Sequence, residues 1–126
     1  MLIARHREHV KRLAVTDGGR IIDWAGDGCF LIFETPSAAV LFALHLQQTH
    51  QRESDLPQVY AGINMGEVME REGPDGKDSP PPGGRLAVDT AARIQSLALP
   101  GQILMSNAVF NSARQRLSGS QFDAPI

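Results

Sequence analysis

The stretch that most constrains the fold is "RIIDWAGDGCFLIF", residues 20–33, in which two apolar runs flank Gly26-Asp27-Gly28. Both runs are rich in β-branched and aromatic residues, which favour strands. A link this short makes an antiparallel hairpin the natural connection between two strands. The stretch therefore predicts a β-hairpin whose tip carries an aspartate.

Asp27 lies between the two glycines of this link, and the sequence leaves two interpretations of it open. In the first interpretation, Asp-Gly forms the tight turn of the hairpin, because it is among the strongest hairpin signals known. In the second interpretation, Asp27 is a metal ligand held at the tip of the hairpin. Taken by itself, the hairpin pattern favours the turn residue.

The rest of the chain alternates helical and extended patterns. Helices are predicted over residues 2–15, 36–48, 86–97 and 106–116, and strands over residues 21–25, 29–33, 59–64 and 102–105. Thr35 and Pro36 suit the start of the second helix. Residues 70–85 are rich in glycine, proline and charge, which predicts a loop. An alternating order with one antiparallel hairpin favours an α+β two-layer sandwich, with helices on one sheet face and the other face open to a partner chain.

Composition narrows the class of protein. A chain of 126 residues suits one domain, and a formal charge of −2 gives no electrostatic case for binding nucleic acid. Cys29 is the single cysteine, so no internal disulfide can form and a reducing compartment is expected. No stretch has the ~18 continuous apolar residues of a membrane helix. The N-terminus also lacks the pattern of a signal peptide. These features predict a soluble, cytoplasmic domain without membrane contact.

The four histidines, His6, His9, His45 and His50, show no ligand spacing that places them on one metal site. His45 lies in the most apolar predicted helix, where a hydrogen-bonded histidine of the core or its rim is expected. Trp24, on the hairpin, is expected in the core or in an interface.

Four stretches occur in one order along the chain: "GGRIIDWAGDGCFLIF", "SAAVLFALHLQQ", "AGINMGEV" and "AVDTAARIQSLALPGQILMS". Together they resemble the catalytic domain of the class III nucleotidyl cyclases, the adenylate and guanylate cyclases. The resemblance covers residues 13–116. It implies a ferredoxin-like βαββαβ cyclase fold that lacks its first strand, so that residues 1–126 form a single, partial cyclase homology domain.

The resemblance also implies roles for particular residues. In this family, two divalent cations lie between two aspartates, and an asparagine and an arginine four residues apart on a helix act on the ribose and the phosphoryl group. Asp27 matches the second metal-binding aspartate, which implies Mg²⁺ or Mn²⁺. Arg93, in "TAARI", matches the arginine. The resemblance implies ATP or GTP as the ligand. Because the family builds its sites from two protomers, it also implies a homodimer or a related cyclase domain as the partner.

Two candidate site residues depart from the family pattern. Asp89 occupies the position of the asparagine, and Asp23 that of a lysine that reads the base. Asp89 and Arg93 are four residues apart, a spacing at which an ion pair is expected to occupy the arginine. Asp23 replaces a hydrogen-bond donor by an acceptor.

Gaps at both ends of the resemblance bear on activity as well. The strand that carries the first metal aspartate would precede residue 2, and the family's last strands would follow the last helix. The sequence therefore predicts a degenerate, inactive cyclase domain that acts as a dimerising or regulatory module. Two alternatives stay open: part of an active adenylate cyclase completed by upstream sequence, and a scaffold domain that binds no nucleotide.

Overall fold

The computed structural model describes residues 2–25, 28–66, 71–72, 78–79 and 85–117. Its elements, in chain order, are α1 (Leu2–Asp17), β1 (Arg20–Ala25), β2 (Gly28–Ile32), α2 (Pro36–Arg52), β3 (Ala61–Ile63), β4 (Arg71–Glu72), β5 (Asp78–Ser79), α3 (Arg85–Ser96), β6 (Ile103–Met105) and α4 (Asn107–Leu117). All the predicted helices and strands are found, and the predicted α+β class is confirmed.

The prediction of a loop over residues 70–85 is wrong in one respect. The two-residue strands β4 and β5 pair antiparallel within that range. Strands of two residues are too short to produce the alternating pattern by which a strand is recognised, so the composition of the segment dominated the prediction.

The predicted hairpin is present, with β1 and β2 antiparallel and Trp24 opposite Cys29. Its register shifts between Ile21 and Asp23, where β1 carries one extra residue. Ile21 and Trp24 both pack against the same core cluster, although an uninterrupted strand would direct residues three apart to opposite faces. The bulge therefore brings Trp24 to the core side of the hairpin.

Strands β3 and β6 run parallel, with Ala61 opposite Ile103 and Ile63 opposite Met105. Helix α3 lies in the connection between them and packs on β3. Within the described residues, the hairpin, the β3–β6 pair and the β4–β5 pair form separate two-stranded ladders. Helix α3 thus packs on the β3–β6 pair.

Helix α2 is central, because it contributes to both hydrophobic clusters of the described core. The first cluster joins α1 to α2 under the hairpin and contains Val10, Leu13, Ala14, Phe42 and Leu46. The second joins α2 to α4 and contains Val40, Val109 and Ala113. As predicted, α2 starts at a Thr35 cap, whose side-chain oxygen accepts a hydrogen bond from the Ala38 amide at 3.2 Å.

Candidate functional site

Helix α3 carries two of the predicted site residues on one exposed stripe. Its inward side, facing β3, is formed by half-buried residues: Val88, Ala91, Ile94 and Gln95. Asp89, Ala92, Arg93 and Ser96 are exposed and follow one another at helical spacing. We call Asp89, Ala92, Arg93 and Ser96 the α3 stripe. The structure therefore brings Asp89 and Arg93 together on one surface, one helical turn apart.

The expected ion pair between Asp89 and Arg93 is not formed. Among the described residues, ion pairs are found within α1 and between α1 and either α2 or the segment that follows it, but none joins these two side chains. Both are exposed, and a pair at this spacing contributes only ~0.2–0.5 kcal/mol, which hydration of the separate charges can offset. Asp89 thus does not engage the Arg93 guanidinium.

Asp23 is exposed on the hairpin, on the face turned away from α1 and α2. Its carboxylate oxygen Oδ1 accepts a hydrogen bond from the Trp24 backbone amide at 2.9 Å. The bulge in β1 produces this direction, because the neighbouring Trp24 packs inward. A carboxylate is therefore presented to solvent at the position where the resemblance implies a lysine.

Asp27 lies outside the described residues, so its geometry relative to Asp23 and the α3 stripe is not defined. No group of three or more His, Cys, Asp or Glu side chains suited to a metal ion occurs in the described part of the chain. The described residues alone therefore do not fit the Mg²⁺ or Mn²⁺ site that the resemblance implies.

A cluster of polar side chains that the sequence analysis missed joins α1 to α2. His6 and His9 lie on one turn of α1, and His50 and Glu53 face them from the end of α2. The His6 Nδ1 and His50 Nε2 atoms are 3.1 Å apart, and His9 Nε2 contacts the Glu53 carboxylate. We call these four residues the histidine cluster. The sequence shows two pairs of titratable residues three positions apart, one on α1 and one at the end of α2, but nothing in it indicates that the two pairs meet.

Neighbouring hydrogen bonds fix how the rings of the histidine cluster are used. His50 is 4% exposed, and its Nδ1 donates to the Pro57 carbonyl at 2.8 Å, which leaves Nε2 to accept from His6. Arg12 donates to His9 Nδ1 at 3.2 Å, so the proton of His9 lies on Nε2 and faces Glu53. The cluster is a satisfied structural network that holds two helices together.

Three further ion pairs tie α1 to its surroundings. Arg5 contacts both Glu53 and Asp55, and its hydrogen bond holds the pKa of the Asp55 carboxyl below the usual value. His45 Nδ1 donates to Asp17 Oδ2 at 2.9 Å, and the Asp17 side chain is 8% exposed. The prediction that His45 is a hydrogen-bonded rim histidine is therefore confirmed.

The hairpin contributes two groups to the α1 side of the core. The Trp24 ring packs against the first core cluster, as predicted, and the Arg7 guanidinium carbon lies 4.9 Å from the ring centre. At that distance a cation–π attraction adds to the burial of the ring. Burial also raises the pKa of the Cys29 thiol to about 11, which keeps it protonated and unreactive at neutral pH.

Comparison with known proteins gives relatives of one kind. No family model matches the chain. An adenylate cyclase of Glutamicibacter nicotianae is 29% identical over 127 residues, which cover 98% of this chain and 30% of the relative. A putative adenylate cyclase 3 of Rhizobium meliloti (strain 1021) is 31% identical over 115 residues, covering 86% of this chain and 18% of the relative. The chain thus spans less than a third of these relatives' length.

Solved structures agree in fold. The adenylate/guanylate cyclase/hydrolase of Silicibacter pomeroyi is 32% identical with a TM-score of 0.68, and the match covers 90% of this chain and 64% of that structure. A Trypanosoma brucei adenylate cyclase, described in its monomeric state, has a TM-score of 0.74 at 20% identity, covering 93% and 69%. No helix among the described residues is long and apolar enough to cross a membrane. The predicted resemblance is confirmed: the chain is a homologue of the class III adenylate and guanylate cyclase catalytic domains.

Proposed function

We propose that this chain is a catalytically silent cyclase domain that acts as a dimerising or regulatory module in cyclic-nucleotide signalling. The observation that carries the proposal is the exposed carboxylate of Asp89 beside Arg93 on the α3 stripe. The resemblance implies an asparagine there, which can donate a hydrogen bond to a ribose oxygen, whereas a carboxylate only accepts. Asp89 also adds negative charge where a polyanionic triphosphate has to approach.

Asp23 supports the same proposal from the hairpin. A lysine at this position would donate to ring nitrogens or carbonyl oxygens of a purine, and an exposed carboxylate cannot. It can accept from an exocyclic amine, which both adenine and guanine carry, so Asp23 does not favour ATP over GTP. With both changes together, weakened nucleotide binding is the expected result.

Asp27 is the residue of this chain that would hold a cation. Mg²⁺ or Mn²⁺ in such a site would neutralise the phosphates and activate the ribose hydroxyl. Mg²⁺ is usually bound through one or two carboxylates together with substrate phosphates, so a single aspartate gives a weak site. The described residues do not form a ligand set for this ion.

A second candidate function is that the chain is part of a working adenylate cyclase, to which other sequence contributes the missing groups. The specific observation in its favour is Arg93, which is exposed and has no ion pair with Asp89. A free guanidinium can stabilise charge on a phosphoryl group in the transition state. The silent domain is expected to form no cyclic nucleotide, whereas a working cyclase is expected to form it, so an activity assay distinguishes the two.

The test is an assay of the purified chain with ATP or GTP and Mg²⁺ or Mn²⁺, with cyclic product measured by mass spectrometry. We expect none. Product that disappears in Asp27→Ala and in Arg93→Ala would refute the silent-domain proposal and support the enzyme. A double variant, Asp23→Lys with Asp89→Asn, restores the family's residue types, and a gain of nucleotide binding in it would identify the two carboxylates as the cause of the loss.

The proposed partner is a second copy or a related cyclase domain. Light scattering at high micromolar concentration tests this, with a dimer or larger species as the expected result and a monomer as the opposing one. Nucleotide binding without turnover supports a regulatory role for the nucleotide. An associating chain that binds no nucleotide is instead a scaffold. The lone, protonated Cys29 is compatible with the reducing cytoplasm as the location.

A further inference from the structure

Two of the stretches that carried the resemblance meet in space at Gly62. "AGINMGEV" supplies Gly62 in the middle of β3, and "AARIQS" supplies the turn of α3 that lies on it. A glycine inside an apolar strand weakens the strand and often marks a place where another backbone approaches closely. Gly62 is such a place.

The approach at Gly62 involves main-chain atoms of the helix. A Cβ built on Gly62 would lie 2.2 Å from the backbone nitrogen of Gln95 and 2.6 Å from its Cα. The same Cβ would lie 2.6 Å from the Ala91 carbonyl oxygen. Real Cβ atoms essentially never come within 3.0 Å of another heavy atom, so something has to shift. Since no side-chain rotation moves main-chain atoms, the helix and the strand would have to separate.

The strand is held more firmly than the helix. Gly62 is opposite Leu104 in the parallel ladder, and hydrogen bonds from the Ala61 amide to the Gln102 carbonyl (3.0 Å) and from the Ser106 amide to the Ile63 carbonyl (3.2 Å) extend the pairing on both sides. The described side chains of α3 are exposed or half-buried, and those of β3 are also only half-buried, so burial does not distinguish the two elements and the ladder is what anchors the strand. A side chain at position 62 would therefore displace α3 and not β3.

We infer that Gly62 is a positioning residue that sets the distance of α3 from β3 and so fixes where the α3 stripe, with Arg93, is presented. A helix moves as a unit because its own hydrogen bonds keep it rigid, so a clash at Ala91 and Gln95 carries Asp89 and Arg93 with it. This inference rests on the proposed function only in treating the stripe as part of the functional surface.

Gly19 provides a matched comparison. A Cβ on Gly19 would lie 2.3 Å and 2.6 Å from ring atoms of Phe33, a clash of the same size. Those atoms belong to a side chain, which a smaller residue removes. Truncation of Phe33 should therefore relieve Gly19→Ala, whereas truncation of Gln95 cannot relieve Gly62→Ala, because the nitrogen and Cα of residue 95 remain.

The experiment uses nuclear magnetic resonance on the full chain. Wild type should give a strong contact between the Gly62 α-protons and the Gln95 amide proton. In Gly62→Ala we expect that contact to be lost, with amide shifts along residues 88–96 that persist when Gln95→Ala is added. In Gly19→Ala the changes should stay near the hairpin and shrink when Phe33→Leu is added. An unmoved α3 in Gly62→Ala, or its return with Gln95→Ala, would overturn the inference.

A second readout links the position of the helix to function. Binding of ATP with Mg²⁺, measured by equilibrium dialysis, and self-association, measured by sedimentation, are compared among wild type, Gly62→Ala, Arg93→Ala and Gly19→Ala. Misplacement of a contact residue by about 1 Å can cost up to ~10²-fold, so we expect Gly62→Ala to match Arg93→Ala and weaken any measured interaction by about tenfold or more. If Gly62→Ala displaces α3 yet keeps wild-type interactions, the positioning role is refuted. A wild type without nucleotide binding or association refutes the proposed function, and the resonance experiment still decides the inference about Gly62.

Discussion

Charged side chains are arranged differently in two regions of the molecule. One region is the interface between α1 and α2, and the other is the α3 stripe. In the interface, titratable side chains pair with one another: His9 with Glu53, and Asp17 with His45. On the stripe, Asp89 and Arg93 stand exposed and make no ion pair with each other. The first arrangement stabilises the fold, and the second leaves charge available to a ligand or another chain. Titratable residues thus stabilise the packing of α1 on α2, whereas Asp89 and Arg93 remain exposed to solvent.

The largest expected difference between the two regions is in stability. Phe42 is 6% exposed in the first core cluster, and Phe42→Ala should lower the free energy of unfolding by about 3–5 kcal/mol. Arg93→Ala, on the stripe, should change it by no more than about 0.5 kcal/mol. Urea unfolding followed by circular dichroism measures both values, and equal effects would remove the distinction between the regions.

A smaller effect comes from the half-buried thiol of Cys29 on the hairpin. The folded-state pKa of Cys29 is raised from 9.0 to about 11, so the folded chain holds this proton more tightly than the unfolded chain. The resulting stabilisation is complete below pH 9 and is lost as pH rises from 9 through 11. Two pKa units correspond to at most about 2.7 kcal/mol, and the loss is smaller than this limit because the thiol is only partly buried and solvent screens its charge. Unfolding curves across this range should show the loss in wild type and less of it in Cys29→Ala; parallel curves would contradict the assignment.

The histidine cluster should contribute less than either of these. His9 and Glu53 are partly exposed, with side-chain exposures of 19% and 30%, so their coupling is expected near 0.5–1 kcal/mol. A double-mutant cycle with His9→Ala and Glu53→Gln, followed by urea unfolding, measures it. A coupling indistinguishable from zero would show that the contact between His9 and Glu53 does not stabilise the fold.

The smallest effect is expected on the α3 stripe itself. The same type of cycle with Asp89→Asn and Arg93→Ala should give a coupling below about 0.3 kcal/mol, because the structure forms no ion pair between them. A coupling of ~0.5 kcal/mol that fades with added salt would mean that the pair forms in solution after all.

The sequence predicted the helices and strands in which apolar residues recur regularly. It missed features that depend on contacts between segments far apart in the chain. The hairpin followed from its β-branched runs, but the bulge did not, because adjacent apolar residues at Ile21 and Ile22 are compatible with either register. The histidine cluster joins residues 44 positions apart, and no local pattern reports that distance. The four-residue spacing correctly predicted that Asp89 and Arg93 share one face of α3. It could not show whether the two side chains pair with each other or are hydrated separately.

Trp24 gives this molecule an optical property of its own. It is the single tryptophan of the chain, and its ring lies between the hairpin and α1, with the Arg7 guanidinium 4.9 Å from the ring centre. Intrinsic emission excited at the red edge of absorption therefore comes from one place. A red shift of that emission would report separation of α1 from the hairpin, whatever happens at α3. Fluorescence and circular dichroism followed together in one titration thus reveal whether α1 leaves before the rest unfolds.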